Sequence, residues 1–184
     1  VSNLSYIILA ATLMTDSGLT AALSHMLFHA LMKITLFFCA GAVLVRTHKT
    51  QIESLRGFVN VMPFTVGVYT VAALALMGTP LLPGFVSKWM IGSAAVAEGY
   101  FMGYVGVAAI LVSAVLTAIY LMSVAFFMIF RPLEDMHGIE EGRSYDPSWK
   151  MKLPLAILTA AIVLCGIFSN NIIEMLAAVS AGVI

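Results

Sequence analysis

Residues 104–130, YVGVAAILVSAVLTAIYLMSVAFFMIF, contain no Asp, Glu, Lys or Arg, and that one run dictates the solvent. It exceeds the roughly 20 apolar residues a helix needs to cross a hydrocarbon core, where backbone polar groups must be paired within the segment. Small residues recur in it at helix-packing positions, as in a span that packs against other spans. The rest of the chain agrees. Of its 184 residues, 61% are hydrophobic and 10% charged, and the mean hydropathy of +1.03 lies far outside the range of soluble globular domains. The chain therefore reads as an integral membrane protein.

The chain is formally neutral and has no basic stripe interleaved with aromatics, which leaves no case for a nucleic-acid partner. Cys39 and Cys165 each sit deep in an apolar run without metal-ligand spacing. Both read as small core residues rather than as a disulfide or a metal site.

Further apolar segments follow the same rule. A short opener covers about 3–14 and ends at the turn signal TDSG; the second segment runs from about 20 to 45, and the third covers about 60–78. The stretch GTPLLPG at 78–84 then breaks the pattern, because Pro80 and Pro83 each remove a backbone donor and disfavour helix just before them. A short helix at about 85–98 rises only about 21 Å, less than a hydrocarbon core of about 30 Å. Residues 78–98 thus read as a broken or partial span.

After 104–130 comes the only extended polar loop, 131–152, then a last segment at about 153–169 with a weakly apolar tail to Ile184. The expected fold class is an all-α, polytopic transmembrane helix bundle with about five or six membrane segments, one of them interrupted, forming a single membrane domain over residues 1–184. The opening VSNLSYIILAATLM lacks a Met, a basic n-region and a cleavage site. It reads as a helix entered partway along, hence as part of a longer chain. Basic residues do not set the orientation: Arg46, Lys49 and Arg56 in one loop face Arg131, Arg143, Lys150 and Lys152 in another.

Against this apolar background the stretch HMLFHALMKI stands out. His25, His29 and Lys33 recur every four residues, so in a helix they form one stripe climbing about 12 Å. A charge at bilayer depth costs at least about 2.5–3.5 kcal/mol on insertion scales, so such groups face a bundle interior or a hydrated path. Histidine titrates near neutral pH and can accept on one nitrogen while donating on the other. A partly desolvated lysine loses basicity and becomes able to release its proton. The chemistry suits proton movement; the plainer alternative is that these groups only hydrogen-bond neighbouring helices.

Lys88 lies in PGFVSKW, just after the break. Irregular backbone in a membrane is tolerated where it lines a cavity or is buried in protein, so an ionisable group there signals a transport site. The alternative is a lysine snorkelling to the interface beside Trp89. Secondary pathway candidates are Glu98, Thr79 and Ser87, with Ser113 weaker. Glu53 and Arg56 are spaced to pair locally, and His48 and His137 belong to loops.

The stretch LSHMLFHALMKITLFFCAGAV, ending at Val43, followed by ESLRGFVNVMPFTVGVYTVAALALMGTPLLPGFVSKW at 53–89, closely resembles the antiporter-like membrane subunits of respiratory complex I and their Mrp-type cation/proton antiporter relatives. Energy-converting hydrogenases and formate hydrogenlyases carry similar subunits. The resemblance covers nearly the whole chain and implies the C-terminal half of such a subunit, about transmembrane helices 9 to 14. It implies that Lys33 is the lysine of a central hydrophilic axis, with His29 and His25 one and two turns earlier, and that Lys88 is the terminal lysine of a half-channel.

The glutamate and lysine of the family's first half have no counterpart in residues 1–184. The function implied is proton translocation as a non-redox subunit of an NADH:quinone oxidoreductase-type pump or related hydrogenase. The alternatives are an Mrp-type sodium/proton antiporter subunit and a non-conducting structural subunit. No cofactor would bind to this chain. Its partners would be other membrane subunits, the lipid bilayer, and protons or sodium ions, in the inner or plasma membrane of a prokaryote. An enzyme reading finds no nucleophile-base pair, phosphate loop or dinucleotide fingerprint.

Overall fold

The computed structural model describes residues 2–130 and 144–182, and its long elements are all α-helices. They are α1 (Ser2–Ala11), α2 (Asp16–Thr47), α3 (Pro63–Met77), α4 (Pro83–Ala97), α5 (Phe101–Phe130), α6 (Trp149–Ile167) and α7 (Ser169–Ser180), with two 3-10 turns at Ile52–Leu55 and Phe58–Asn60. Of these, α2, α5 and α6 are long and apolar enough to cross a membrane. His137 and most of the acidic loop expected at 131–152 lie outside the described residues.

The central helix is α2, on which α1, α3, α4, α6 and α7 all pack. Its 32 residues rise about 48 Å. The segment TDSG begins this helix instead of separating two elements. Thr15 is the N-cap, its hydroxyl oxygen accepting the Gly18 N–H at 3.2 Å, and Asp16 sits in the first turn, where a negative charge favours the helix dipole.

The third and fourth segments are not separate spans. Early in α3, Val66 packs with Val43 and Val68 with Cys39 and Ala42, all in the C-terminal half of α2. The last turn of α3 brings Ala75 and Leu76 against Phe28 and Met32, near the middle of α2. Farther along, α4 places Ser87 on His25, and Met90, Ser93 and Ala94 share a cavity with Asp16 and Thr20 at the start of α2. Helices α3 and α4 are thus two halves of one crossing, antiparallel to α2 and interrupted at 78–82.

The interruption has local causes. Gly78 ends α3 in the left-handed region at φ 100° and sends its N–H back to the Leu74 and Ala75 carbonyls, a C-terminal geometry that suits glycine. Pro83 starts α4 at its first turn, where the missing N–H is no loss. Next to it, Gly84 lies so close to the Ala75 carbonyl that a Cβ would overlap it.

The C-terminal part repeats the device, and the weakly apolar tail expected after 169 forms a helix of its own. In α6, Leu155 packs with Cys39, and Ile162 joins Phe28 and Leu76. The chain bends at Phe168 and α7 continues until Ser180 meets the Thr20 hydroxyl at 2.7 Å. The α6 end of this second break, at Gly166, packs on the Leu81 carbonyl of the first break.

Helix α5 closes the bundle on the other side of α3 and α4. Its residue Ile110 joins Ile91, the Tyr69 hydroxyl donates to the Leu121 carbonyl at 3.3 Å, and Met128 packs on Phe58. At the α3 N-terminus, Met62 offers no side-chain cap, and Asp146 supplies one from a distant segment. Its carboxylate accepts the Phe64 N–H (3.2 Å), the Thr65 N–H (3.3 Å) and the Thr65 hydroxyl (3.2 Å), and lies 3.6 Å from the Lys152 ammonium.

Candidate functional site

The histidine and lysine stripe lies on one unbroken helix, facing the break in the α3–α4 crossing. His25 is fully buried. Its Nδ1 lies 2.9 Å from the Ser87 hydroxyl of α4. That hydroxyl lies 3.2 Å and 3.4 Å from the Pro83 and Gly84 carbonyls. Because a serine has one proton to donate and two lone pairs to accept with, the group can serve the carbonyls while accepting from His25, or donate to His25 itself. Either state satisfies the pair.

One turn along, the His29 ring stacks on His25 with centroids 5.8 Å apart and an interplanar angle of 13°. Rings stacked in parallel do not bond through their nitrogens. His25 Nε2 and His29 Nδ1 accordingly have no hydrogen-bond partner among the described residues, although both atoms are buried. Lys33 follows, half-buried, with its ammonium 5.9 Å from the centroid of the Phe37 ring, within cation–π range.

Lys88 turns inward, unlike a lysine snorkelling beside Trp89, and its residue exposure is 9% against 68% for Trp89. Its ammonium donates to the Leu76 carbonyl at 2.8 Å and the Met77 carbonyl at 3.0 Å. These carbonyls belong to the last turn of α3, where carbonyls lack helical partners and the helix dipole favours a cation. The break therefore creates the lysine site: an uninterrupted helix would have used those carbonyls itself. A groove of about 740 Å³ between α4 and α5 reaches the same lysine, passing Gly78, Phe85, Gly92, Val107 and Ile110.

The structure thus brings together His25, His29, Ser87 and Lys88, with Lys33 two turns along α2 from His25. Thr79 lies in the break with its hydroxyl oxygen buried and, among the described residues, unpartnered. Glu98 is not part of the assembly: it caps the far end of α4, about 15 Å of helical rise from Lys88. Arg56 lies against the Phe127 ring, 5.8 Å from its centroid, instead of pairing with Glu53. Among the described residues no three His, Cys, Asp or Glu side chains converge as a metal site requires.

Four contributors escape a reading based on charge. The Leu76 and Met77 carbonyls carry no side-chain signal at all. Tyr6 and Asn3, on the face of α1 that packs on α2, are buried with Tyr6 Oη and Asn3 Oδ1 unpartnered among the described residues, and their trace in the sequence is an i, i+3 spacing within a mostly apolar helix.

Comparison with known proteins identifies the family of the chain. Residues 1–117 match the family described as NADH:quinone oxidoreductase/Mrp antiporter, TM. The chain is 32% identical over 190 residues to NADH-quinone oxidoreductase subunit N of Desulforudis audaxviator, covering 95% of this chain and 36% of that protein. It is 31% identical over 174 residues to subunit L of the Rickettsia typhi enzyme, covering 95% of this chain and 25% of that protein.

The chain thus spans about a quarter to a third of the length of these relatives. The solved Mrp complex from Dietzia sp. contains a chain of the same fold, with a TM-score of 0.81 at 21% identity, over 96% of this chain and 40% of that one. This multi-pass membrane protein belongs to the NADH:quinone oxidoreductase/Mrp antiporter transmembrane family.

Proposed function

We propose that this segment carries protons through the interior of a redox-driven membrane complex, along an axis that runs from Lys33 through His29 and His25 to Ser87 and Lys88. The observation that carries the reading is the His25–Ser87 hydrogen bond of 2.9 Å. It ties the stripe of titratable groups on α2 to the interrupted crossing, one residue from the buried lysine.

Each part has a chemical task. Lys33 and Lys88 store protons, since neither has a carboxylate within 4 Å among the described residues to fix its charge. The imidazoles accept on one nitrogen and donate from the other, and Ser87 passes a proton by rotating its hydroxyl. The unpartnered His25 Nε2 and His29 Nδ1 are the atoms that bridging water would join. The Leu76 and Met77 carbonyls hold the charged form of Lys88 after a proton arrives.

In this reading the segment binds no redox cofactor. Electrons run through other subunits of the same complex, and conformational or electrostatic coupling drives the protons here. The oxidoreductase relatives at 31–32% identity support a redox-driven pump over sodium/proton exchange, because the likeness to the Mrp complex at 21% identity speaks of fold.

The test is proton translocation per electron transferred by the assembled complex carrying Lys33→Ala or Lys88→Ala. The reading expects both ratios to fall. Wild-type ratios in both variants would leave a structural subunit as the better description.

A further inference from the structure

Three buried polar atoms cluster where α1 meets the histidines. Tyr6 is 5% exposed, Asn3 7% and His25 0%, and Tyr6 Oη, Asn3 Oδ1 and His25 Nε2 find no hydrogen-bond partner among the described residues. The Tyr6 ring meets the His25 ring edge-on, with centroids 5.7 Å apart. The helices α1 and α2 run antiparallel, since Ala10 packs with Ala21 and Ala22 while Tyr6 packs with His25. One further turn of that register sets Asn3 at the level of His29, whose Nδ1 is the fourth unpartnered atom. Two polar groups of α1 thus face two histidines of α2, rung by rung.

Folded proteins leave few buried polar atoms unpaired, because each costs about 1–3 kcal/mol. Four at one helix contact are too many to be independent accidents of packing. Their chemistry is complementary: a phenol donates and accepts, an amide oxygen accepts, and each imidazole offers one nitrogen of either kind. Two waters bonded to each other, each also bonded to two of them, would satisfy all four, and buried waters typically make about three such bonds.

Resting on the proton-path reading above, we propose that Tyr6 and Asn3 are relay residues of this path, holding with His25 and His29 a short file of water that carries protons between the two stacked rings. A proton on His29 passes from Nδ1 to a water held by Asn3. That water hands one of its own protons to a second water, held by the Tyr6 hydroxyl, which delivers a proton to His25 Nε2; His25 then releases its other proton from Nδ1 to the Ser87 oxygen as the Ser87 hydroxyl proton leaves toward an uncharged Lys88. No bond to carbon changes, and each group between His29 and Lys88 ends with the proton count it began with once the ring resets. The stacked geometry forbids direct transfer between the rings, and α1 supplies what the stack lacks.

The experiment uses the full-length subunit in its assembled complex, with protons moved per electron as the readout and assembly and thermal stability measured alongside. The variants are Tyr6→Phe, Tyr6→Leu, Asn3→Leu, Asn3→Ser and, in parallel, Lys33→Ala. Tyr6→Phe keeps the ring and removes only an oxygen that makes no bond within the described chain, so the protein should assemble with unchanged stability.

The expected result is a loss of translocation of about fivefold or more in Tyr6→Phe, as deep as in Tyr6→Leu, a similar loss in Asn3→Leu, and recovery of at least about half in Asn3→Ser. Wild-type translocation in Tyr6→Phe would overturn the proposal, since the ring alone would then be what matters. If Lys33→Ala loses translocation while Tyr6→Phe does not, the relay falls and the path stands. If neither loses it, both fall.

Discussion

On the proposed path Lys88 has two separable tasks, and substituting it distinguishes them. As a cap it donates to the Leu76 and Met77 carbonyls at 2.8 and 3.0 Å. Hydrogen bonds to a charged group contribute about 1.5–3 kcal/mol each, so Lys88→Met forgoes about 3–6 kcal/mol. The same change removes a cation from the apolar interior, a relief of about 2.5–3.5 kcal/mol on insertion scales. The balance runs from about zero to about 3.5 kcal/mol of net destabilisation, small enough for the complex to assemble.

Lys88→Arg keeps a cation and several donors at the end of α3, so its stability loss should be under about 1 kcal/mol beyond the strain of fitting a planar fork. An arginine does not release its proton in proteins, and translocation should therefore fall about tenfold or more in both variants. The assay is dye-monitored acidification of inside-out vesicles, with quinone reduction followed in the same sample and thermal unfolding of the purified complex as the stability measure. An arginine variant that translocates like the wild type would refute the reasoning, because Lys88 would then be a helix cap and nothing more.

Other perturbations follow from the same geometry. Ser87→Ala removes the partner of His25 Nδ1 and leaves a buried nitrogen unpaired, which should destabilise the protein by about 1–3 kcal/mol and slow translocation, both visible in a thermal melt and the vesicle assay. Asp146→Ala strips α3 of its N-terminal cap and should lower stability by about 1–2 kcal/mol, read as an earlier melting transition. Gly84→Ala sets a methyl against the Ala75 carbonyl and should destabilise by about 1–3 kcal/mol, whereas Gly41→Ala, with nothing within 4 Å of its added carbon, should melt at or above the wild-type temperature.

Much of this architecture is legible because membrane helices announce themselves by length and apolarity. The spans around α2 and α5, the proline break at 78–84 and the stripe of His25, His29 and Lys33 all follow from one-dimensional patterns. What lies between elements does not. Counting apolar segments cannot reveal that α3 and α4 are halves of one crossing, since that depends on which face of α2 each half meets. TDSG carries turn-forming residues, yet Thr15 spends its hydroxyl capping a helix.

Helix α7 has the polar start SNNIIE and reads as a tail until Ser180 is seen against Thr20. The candidate site divides in the same way. Charged groups in an apolar run draw notice, and Lys88 was legible as an ionisable group beside a break. Its partners were not, because backbone carbonyls have no letter in the sequence, and Tyr6 and Asn3 are neutral side chains singled out only by being buried without a partner among the described residues.

The central claim is that the α2 stripe conducts protons, and Lys33 is the member with the least structural employment: among the described residues its ammonium makes no hydrogen bond or ion pair and lies 5.9 Å from the centroid of the Phe37 ring. The most direct measurement is therefore the number of protons moved per electron pair by the assembled complex carrying Lys33→Ala. A lower ratio, with assembly and melting temperature unchanged, is what the account predicts. A ratio equal to that of the wild type would contradict it.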